Sequence, residues 1–168
     1  MHRIKNNIDK SLILKYNVPA PRYTSYPAVP FWEKNINDKL WKESVKKTFK
    51  VENLSHGISL YIHLPYCESL CTYCGCNTRI TVNHSVELPY IETLLREWKI
   101  YCELFCEKPV ISEIHLGGGT PAFFSPGNLE KLIRGILAEA SLHPVYNFSF
   151  EAHPANTTLK HLDELFQL

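Results

Sequence analysis

The chain has 168 residues, 45% apolar and 12% aromatic, with a formal charge of +1 from 18 basic and 17 acidic side chains. That length suits one domain or a piece of a larger one, the apolar share supports a packed core, and the balanced charge gives no electrostatic case for nucleic acid. No apolar run approaches the roughly 20 residues that cross a bilayer, and MHRIKNNIDKSLILKYN is no signal peptide, so a cytoplasmic protein without a membrane partner is expected.

Residues 1–36 read as irregular. Within them NVPAPRYTSYPAVPF carries Pro19, Pro21, Pro27 and Pro30 and reads as an extended arm, because proline removes a donor and biases its predecessor away from helix. Trp41, Val45 and Phe49 recur every fourth residue and predict a short helix from Asp38 to Lys50. Arm and helix make an N-terminal region, residues 1–55, ahead of a core over residues 56–168.

GISLYIHLP (57–65) predicts a buried strand. The cysteine run follows, then a helix from Val86 to Phe105 with Ile91, Leu94, Leu95, Trp98, Cys102 and Phe105 at helical spacing. VISEIHL (110–116) predicts a second strand, broken by GGGTP (117–121). Ser125 and Pro126 suit an N-cap and first helical position, opening a helix whose buried face is Leu129, Leu132, Ile133, Ile136, Leu137 and Ala140. VYNFSFEAHP (145–154) predicts a third strand, and Thr157 or Thr158 caps a last helix with Leu162, Leu165 and Phe166 inward. This repeated strand–loop–helix order implies an α/β fold with a parallel sheet. Sites in such folds gather at the carboxyl ends of the strands, here the loops 65–84, 117–125 and 151–157.

Cys67, Cys71, Cys74 and Cys76 are spaced C-x3-C-x2-C-x-C. Disulfides between such near neighbours fit badly, and clustered thiols in a reducing compartment point to metal or redox chemistry. Structural zinc usually pairs two separated knuckles; here all the thiols share one loop, with His63 and His84 the nearby histidines. A single loop can wrap an iron–sulfur cluster. Cys67, Cys71 and Cys74 as three ligands would leave one iron open, while Cys76 as a fourth would be strained. A structural zinc module stays open as the plainer alternative, and Cys102 and Cys106 read as ordinary thiols. Gly117, Gly118 and Gly119 allow positive φ and close approach of backbone to a ligand. Their N–H groups and the Thr120 hydroxyl suit a carboxylate, a flexible turn being the plain alternative. Glu151 is a charged strand end, and His153 reads as an exposed loop histidine.

The motif C-x3-C-x2-C, with Tyr73 just before its last cysteine and a strand ahead of it, resembles that of the radical S-adenosylmethionine (SAM) superfamily. PRYTSYP (21–27), YIHLPYC (61–67) and CGCN (74–77) further resemble the N-terminal part of the oxygen-independent coproporphyrinogen III oxidase family. Related haem chaperones typically have an aromatic where Cys76 stands and lack the arm; a chaperone-like haem binder is the alternative. EAHP (151–154) has His where close relatives often have Asp or Asn, which leaves Glu151 in place.

The resemblance implies a partial (β/α) radical SAM barrel of about three βα units, preceded by the extended arm and short helix. It implies a [4Fe–4S] cluster on Cys67, Cys71 and Cys74, with Tyr61 and Tyr73 beside a bound SAM. Gly118, Gly119, Thr120 and Glu151 would hold SAM, the glutamate at its ribose hydroxyls, and Cys76 would be a nearby non-ligand. The implied activity is an oxidoreductase that decarboxylates coproporphyrinogen III propionates to vinyl groups through a SAM-derived radical, giving protoporphyrinogen IX. Its implied partners are an electron donor such as flavodoxin or ferredoxin, and the full-length protein would be a monomer. Arg22 reads as a surface charge, with pairing to a propionate as the functional alternative. Three βα units fall short of the family's six, so an N-terminal fragment, inactive by itself, is expected.

Overall fold

A computed structural model describes residues 10–17, 31–32, 37–72 and 74–168 of the chain. The chain divides into two compact units, Met1–Asn37 and Asp38–Leu168. In the first, helix α1 spans Lys10–Tyr16. This corrects the expectation that residues 1–36 are irregular: KSLILKY is rich in the straight-chain and leucine residues that favour helix. The PRYTSYP segment with Arg22, and Tyr73 further on, lie outside the described residues.

The second unit opens with helix α2, Asp38–Glu52, whose first residue pairs with Lys42 one turn on at 2.6 Å. Its predicted apolar stripe is buried only at the end: Trp41 is exposed, whereas Phe49 is buried and stacks on Phe105 with ring centroids 3.9 Å apart. Five strands follow, with three further helices among them: β1 (Ile58–Leu64), β2 (Tyr66–Cys67), β3 (Arg79–Ile80), α3 (Glu87–Phe105), β4 (Val110–Gly118), α4 (Pro126–Glu139), β5 (Ser141–Phe150) and α5 (Leu159–Phe166). β1, β4 and β5 form a parallel sheet in the order β1-β4-β5, and β2 pairs with β3 inside the cysteine loop. The described strands make an open sheet and no closed barrel.

Ile62 and Leu64 of β1 and Ile114 and Leu116 of β4 pack with Ile91, Trp98, Leu129, Leu132 and Ile133 of α3 and α4 in one apolar core. The Trp98 indole N–H donates to the Ile136 carbonyl at 3.1 Å and ties those helices together. Glu87, buried in the first turn of α3, accepts from Ser125 N–H (2.8 Å) and the Asn128 amide (2.6 Å). Ser125 does stand at the N-cap of α4, yet its own side chain makes no capping bond. The carboxylate of the neighbouring helix takes the N-cap N–H instead and sits at the positive end of α4.

The main boundary differences lie in β4 and β5. β4 runs on through Gly117 and Gly118. β5 starts at Ser141, not Val145, and stops at Phe150. Its pairing with β4 skips from Leu142 to Asn147, and the extra residues, Pro144 among them, bulge out, a place where an edge strand tolerates proline. On α5, Leu165 is buried but Phe166 is 92% exposed and Leu162 also faces out. The inward place is taken by His161, which bonds the Phe124 carbonyl at 3.0 Å and forms a reciprocal cap with Thr158.

β1 reads in sequence as buried on both sides, but only one side is. Alternation sends Leu60, Ile62 and Leu64 to the helices, and Ser59, Tyr61 and His63 to the opposite face. The register sets Ser59 beside Glu113 and Asn147, and Tyr61 beside His115 and Ser149. His63 faces Gly117, and Glu151 continues that row just past β5, held by its N–H to the Leu116 carbonyl at 2.9 Å. A parallel sheet clad on both faces would be apolar on both; this one turns a polar, aromatic face to open space.

Candidate functional site

The cysteine loop is closed at its base. Arg79 N–H donates to the Pro65 carbonyl at 2.8 Å and Thr81 N–H to the Cys67 carbonyl at 2.9 Å, which is the β2–β3 pairing. Cys67 and Cys74 are half-buried, Cys71 and Cys76 are exposed, and all four are free thiols. Cys74 N–H donates to the Cys71 carbonyl at 3.1 Å, turning the chain between them. The Cys76 thiol is pushed up from its ordinary pKa, chiefly by its hydrogen bond with Cys74 and then by the charge of Cys74, with Glu151 and Cys67 adding to it.

Among the described residues no three His, Cys, Asp or Glu side chains already converge on one point. The donor set nevertheless fits an iron–sulfur cluster: four thiols on one loop fixed at both ends, with no hard oxygen donor required. Ligand side chains commonly close on a metal group only as it binds.

The three suspected loops meet. Cys67 Sγ lies 3.3 Å from Thr120 Oγ1, joining the first loop to the second. Gly118 N–H donates to Glu151 Oε2 at 3.1 Å, joining the second to the third. The Asn156 amide donates to Glu68 Oε2 at 3.1 Å, joining the third back to the first.

The glycines are required by geometry here. Gly118 has φ +115, and a Cβ on it would come within 2.7 Å of the His63 ring. A Cβ on Gly119 would sit 2.8 Å from the Pro65 backbone. The N–H groups that the sequence offers to a ligand carboxylate are already bonded. Gly118 N–H serves Glu151, Gly119 N–H serves the Leu64 carbonyl at 2.8 Å, and Thr120 N–H serves the Tyr66 carbonyl at 3.0 Å. The loop is tied back to the end of β1, so its gift to a ligand is bare backbone at close range rather than those donors.

Above it stand Tyr61, His63 and His115. His63 Nε2 donates to the Asn77 carbonyl at 2.7 Å, which leaves Nδ1 to accept from the Tyr61 hydroxyl at 3.4 Å. Tyr61 stacks on His115 with centroids 5.7 Å apart. Its phenol is pushed up from the usual pKa by burial, then by Glu151 and Cys76. Of the residues singled out in the sequence, Tyr61, Cys67, Cys74, Gly118, Gly119, Thr120 and Glu151 come together here. Cys71 sits on the exposed side of the loop, and His153 stays an exposed loop residue, accepting from Ala155 N–H at 3.3 Å. Sequence reasoning missed His115 and Ser149, and weighed His63 only as a histidine near the thiols. The signal was present: polar residues alternate in S-L-Y-I-H, E-I-H-L-G and N-F-S-F-E, which a strand buried on both faces would not show.

No protein-family model matches the chain. An oxygen-independent coproporphyrinogen III oxidase from Mannheimia haemolytica is 35% identical over 148 residues, 87% of this chain and 96% of that one. The chain belongs to the oxygen-independent coproporphyrinogen III oxidase family. Members of the same name from Pseudomonas aeruginosa (35% identical, 80% of this chain) and Helicobacter pylori (33%, 95% of this chain) are matched over 28% and 35% of their lengths. This chain thus spans about a third of those longer family members. Coproporphyrinogen III oxidase from Escherichia coli, a radical SAM enzyme, superposes with a TM-score of 0.77 at 26% identity, covering 94% of this chain and 33% of that one.

Proposed function

We propose that residues 38–168 are the cofactor-holding part of a radical SAM coproporphyrinogen III oxidase. The observation that carries this reading is the meeting of the thiol loop, the glycine loop and Glu151 through the Cys67–Thr120 and Gly118–Glu151 contacts. In this reading Cys67, Cys71 and Cys74 hold a [4Fe–4S] cluster with one iron open to SAM. Glu151 receives the ribose hydroxyls, Gly118, Gly119 and Thr120 lie against the methionine part, and Tyr61 and Tyr73 flank the cofactor. Cys76 stays off the iron, beside Glu151 and Tyr61. Cluster and SAM, when bound, supply a carbon radical able to take hydrogen from a substrate propionate.

The chain's own part is to bind, orient and shield. Tyr61, His115 and His63 wall the space over Gly117, and the helices seal the other face of the sheet. None of the nine residues in the three open rows is Lys or Arg. Coproporphyrinogen carries four carboxylates, so this wall suits SAM, and the propionates would find cations elsewhere in the whole protein. The substrate would be decarboxylated to protoporphyrinogen IX, with flavodoxin or ferredoxin as electron donor, by a cytoplasmic monomer. Among the described residues no helix is long and apolar enough to cross a membrane.

The test is turnover. The full-length protein, reconstituted without air and given SAM, reductant and coproporphyrinogen III, is expected to form 5′-deoxyadenosine and protoporphyrinogen IX together. Haem binding without either product would assign the chain to the haem chaperones instead.

A further inference from the structure

We infer that His115 is a positioning residue that fixes the Glu151 carboxylate in the place from which it holds SAM; the inference rests on the reading above. Glu151 lies just past the end of β5 with its side chain 53% exposed. A carboxylate so placed has rotamers to lose before it can bind anything. One oxygen, Oε2, is held by Gly118 N–H at 3.1 Å. The other, Oε1, faces His115 Nε2 at 3.6 Å, an electrostatic contact longer than a hydrogen bond.

His115 is itself held twice. Ser149 Oγ lies 2.8 Å from Nδ1, and the ring stacks on Tyr61 with an interplanar angle of 17°. A Ser149 hydroxyl donating to Nδ1 leaves the ring proton on Nε2, the nitrogen aimed at Glu151. The missing side chain of Gly117 lets the group close up: a Cβ there would come within 2.9 Å of Tyr61 and 3.1 Å of the Glu151 carboxyl carbon. His115 contributes nothing to the apolar core, which β4 feeds from its other face through Ile111, Ile114 and Leu116. Its ring touches both Tyr61 and Glu151, and only the contact with the carboxylate needs its nitrogens, so a ring without nitrogens isolates that route.

A double-mutant cycle on SAM affinity tests this in the full-length, cluster-loaded protein. His115→Phe keeps a stacking ring but removes both nitrogens, and should weaken SAM binding about fivefold, the scale of an ordinary hydrogen bond and less than a charge-assisted one because the contact is 3.6 Å long. His115→Gln, which returns an N–H near the Nε2 position, should recover most of that. In a Glu151→Ala background, His115→Phe should change the dissociation constant less than about twofold, because its partner is gone. Equal losses in both backgrounds, or no loss from His115→Phe in the first, overturns the inference. A wild-type protein that fails to bind SAM, or a Glu151→Ala protein that binds it unchanged, overturns the reading of the site and the inference with it, before any His115 variant is compared. A readout free of the cofactor supplements the cycle. The 15N shifts of the His115 ring should show the Nε2–H tautomer in the wild type; an Nδ1–H wild-type ring contradicts the inference.

Discussion

The thiol of Cys67 and the hydroxyl of Thr120 lie 3.3 Å apart, and they come from different loops at the carboxyl ends of neighbouring strands. The contact exists because β1 and β4 are parallel and in register to their last residues, so the chain leaves both strands side by side. If Cys67 is a thiolate ligand of the cluster, Thr120 donates to its sulfur. A donor at sulfur favours the more negative, reduced state. Thr120→Val should therefore lower the cluster potential by a few tens of millivolts, the equivalent of about 1 kcal/mol for a one-electron couple, at unchanged iron content. An EPR-monitored redox titration reads this directly.

Gly118 cannot carry a side chain without cost. Its φ of +115 and the His63 ring, 2.7 Å from where a Cβ would stand, act together. Gly118→Ala should lose roughly 1–3 kcal/mol of stability from backbone strain alone. It should also displace His63 from the Asn77 carbonyl, loosening the cysteine loop. Gly127, on α4 with open space around it, is the control: Gly127→Ala should be neutral or slightly stabilising in the same thermal melts.

Stability should depend on pH through His84 and Glu87. Burial raises the Glu87 carboxyl, but the bonds from Asn128, Ser125 N–H and His84 outweigh it and hold the group below the usual range. The Glu87 hydrogen bond in turn raises His84, against burial, with Glu68 helping. The depressed carboxyl contributes stability above its unfolded pKa of about 4.3, lost as pH falls through the folded value; the raised histidine contributes below about 6.5, lost as pH rises through its own folded value. The joint contribution is fullest between the two. His84→Gln should flatten the alkaline limb of melting temperature against pH and shrink the acid limb without abolishing it, since Asn128 and Ser125 N–H still depress Glu87, whereas Glu87→Ala should cost roughly 2–3 kcal/mol by orphaning buried donors.

Thiol reactivity should divide the cysteines. Burial, helped by Glu139, pushes the Cys102 thiol up to about 11. In protein stripped of metal, iodoacetamide at mildly alkaline pH should modify the exposed Cys71, Cys76 and Cys106 well before Cys102, as mass spectrometry of timed digests would show.

Much of this was legible in the sequence. The cysteine spacing, the glycine run and the strand–helix alternation are set by neighbours along the chain, and the sheet, its parallel sense and the site at its carboxyl ends followed. What stayed hidden depends on partners far away in sequence. The bulge at β5 depends on pairing with β4, so the early start at Ser141 could not be read from residues 141–150 alone. Nothing in the local sequence marks Glu87 as buried, because its partners Ser125 and Asn128 lie some 40 residues on. His115 was not singled out in the sequence; its place between Tyr61 and Ser149 is set by the register of three strands. Phe166 kept the helical spacing of an inward residue, but α5 turns His161 inward instead.

In the proposed function, three of the four clustered cysteines hold a cluster whose open iron takes SAM beside Glu151. The most direct measurement is metal and sulfide analysis of anaerobically reconstituted protein, followed by EPR of the reduced cluster with and without SAM, in the wild type and in Cys76→Ala. The account predicts about four iron and four sulfide per chain in both proteins, and a cluster signal that SAM changes. Zinc without sulfide, or loss of the cluster in Cys76→Ala together with a wild-type signal indifferent to SAM, would contradict it.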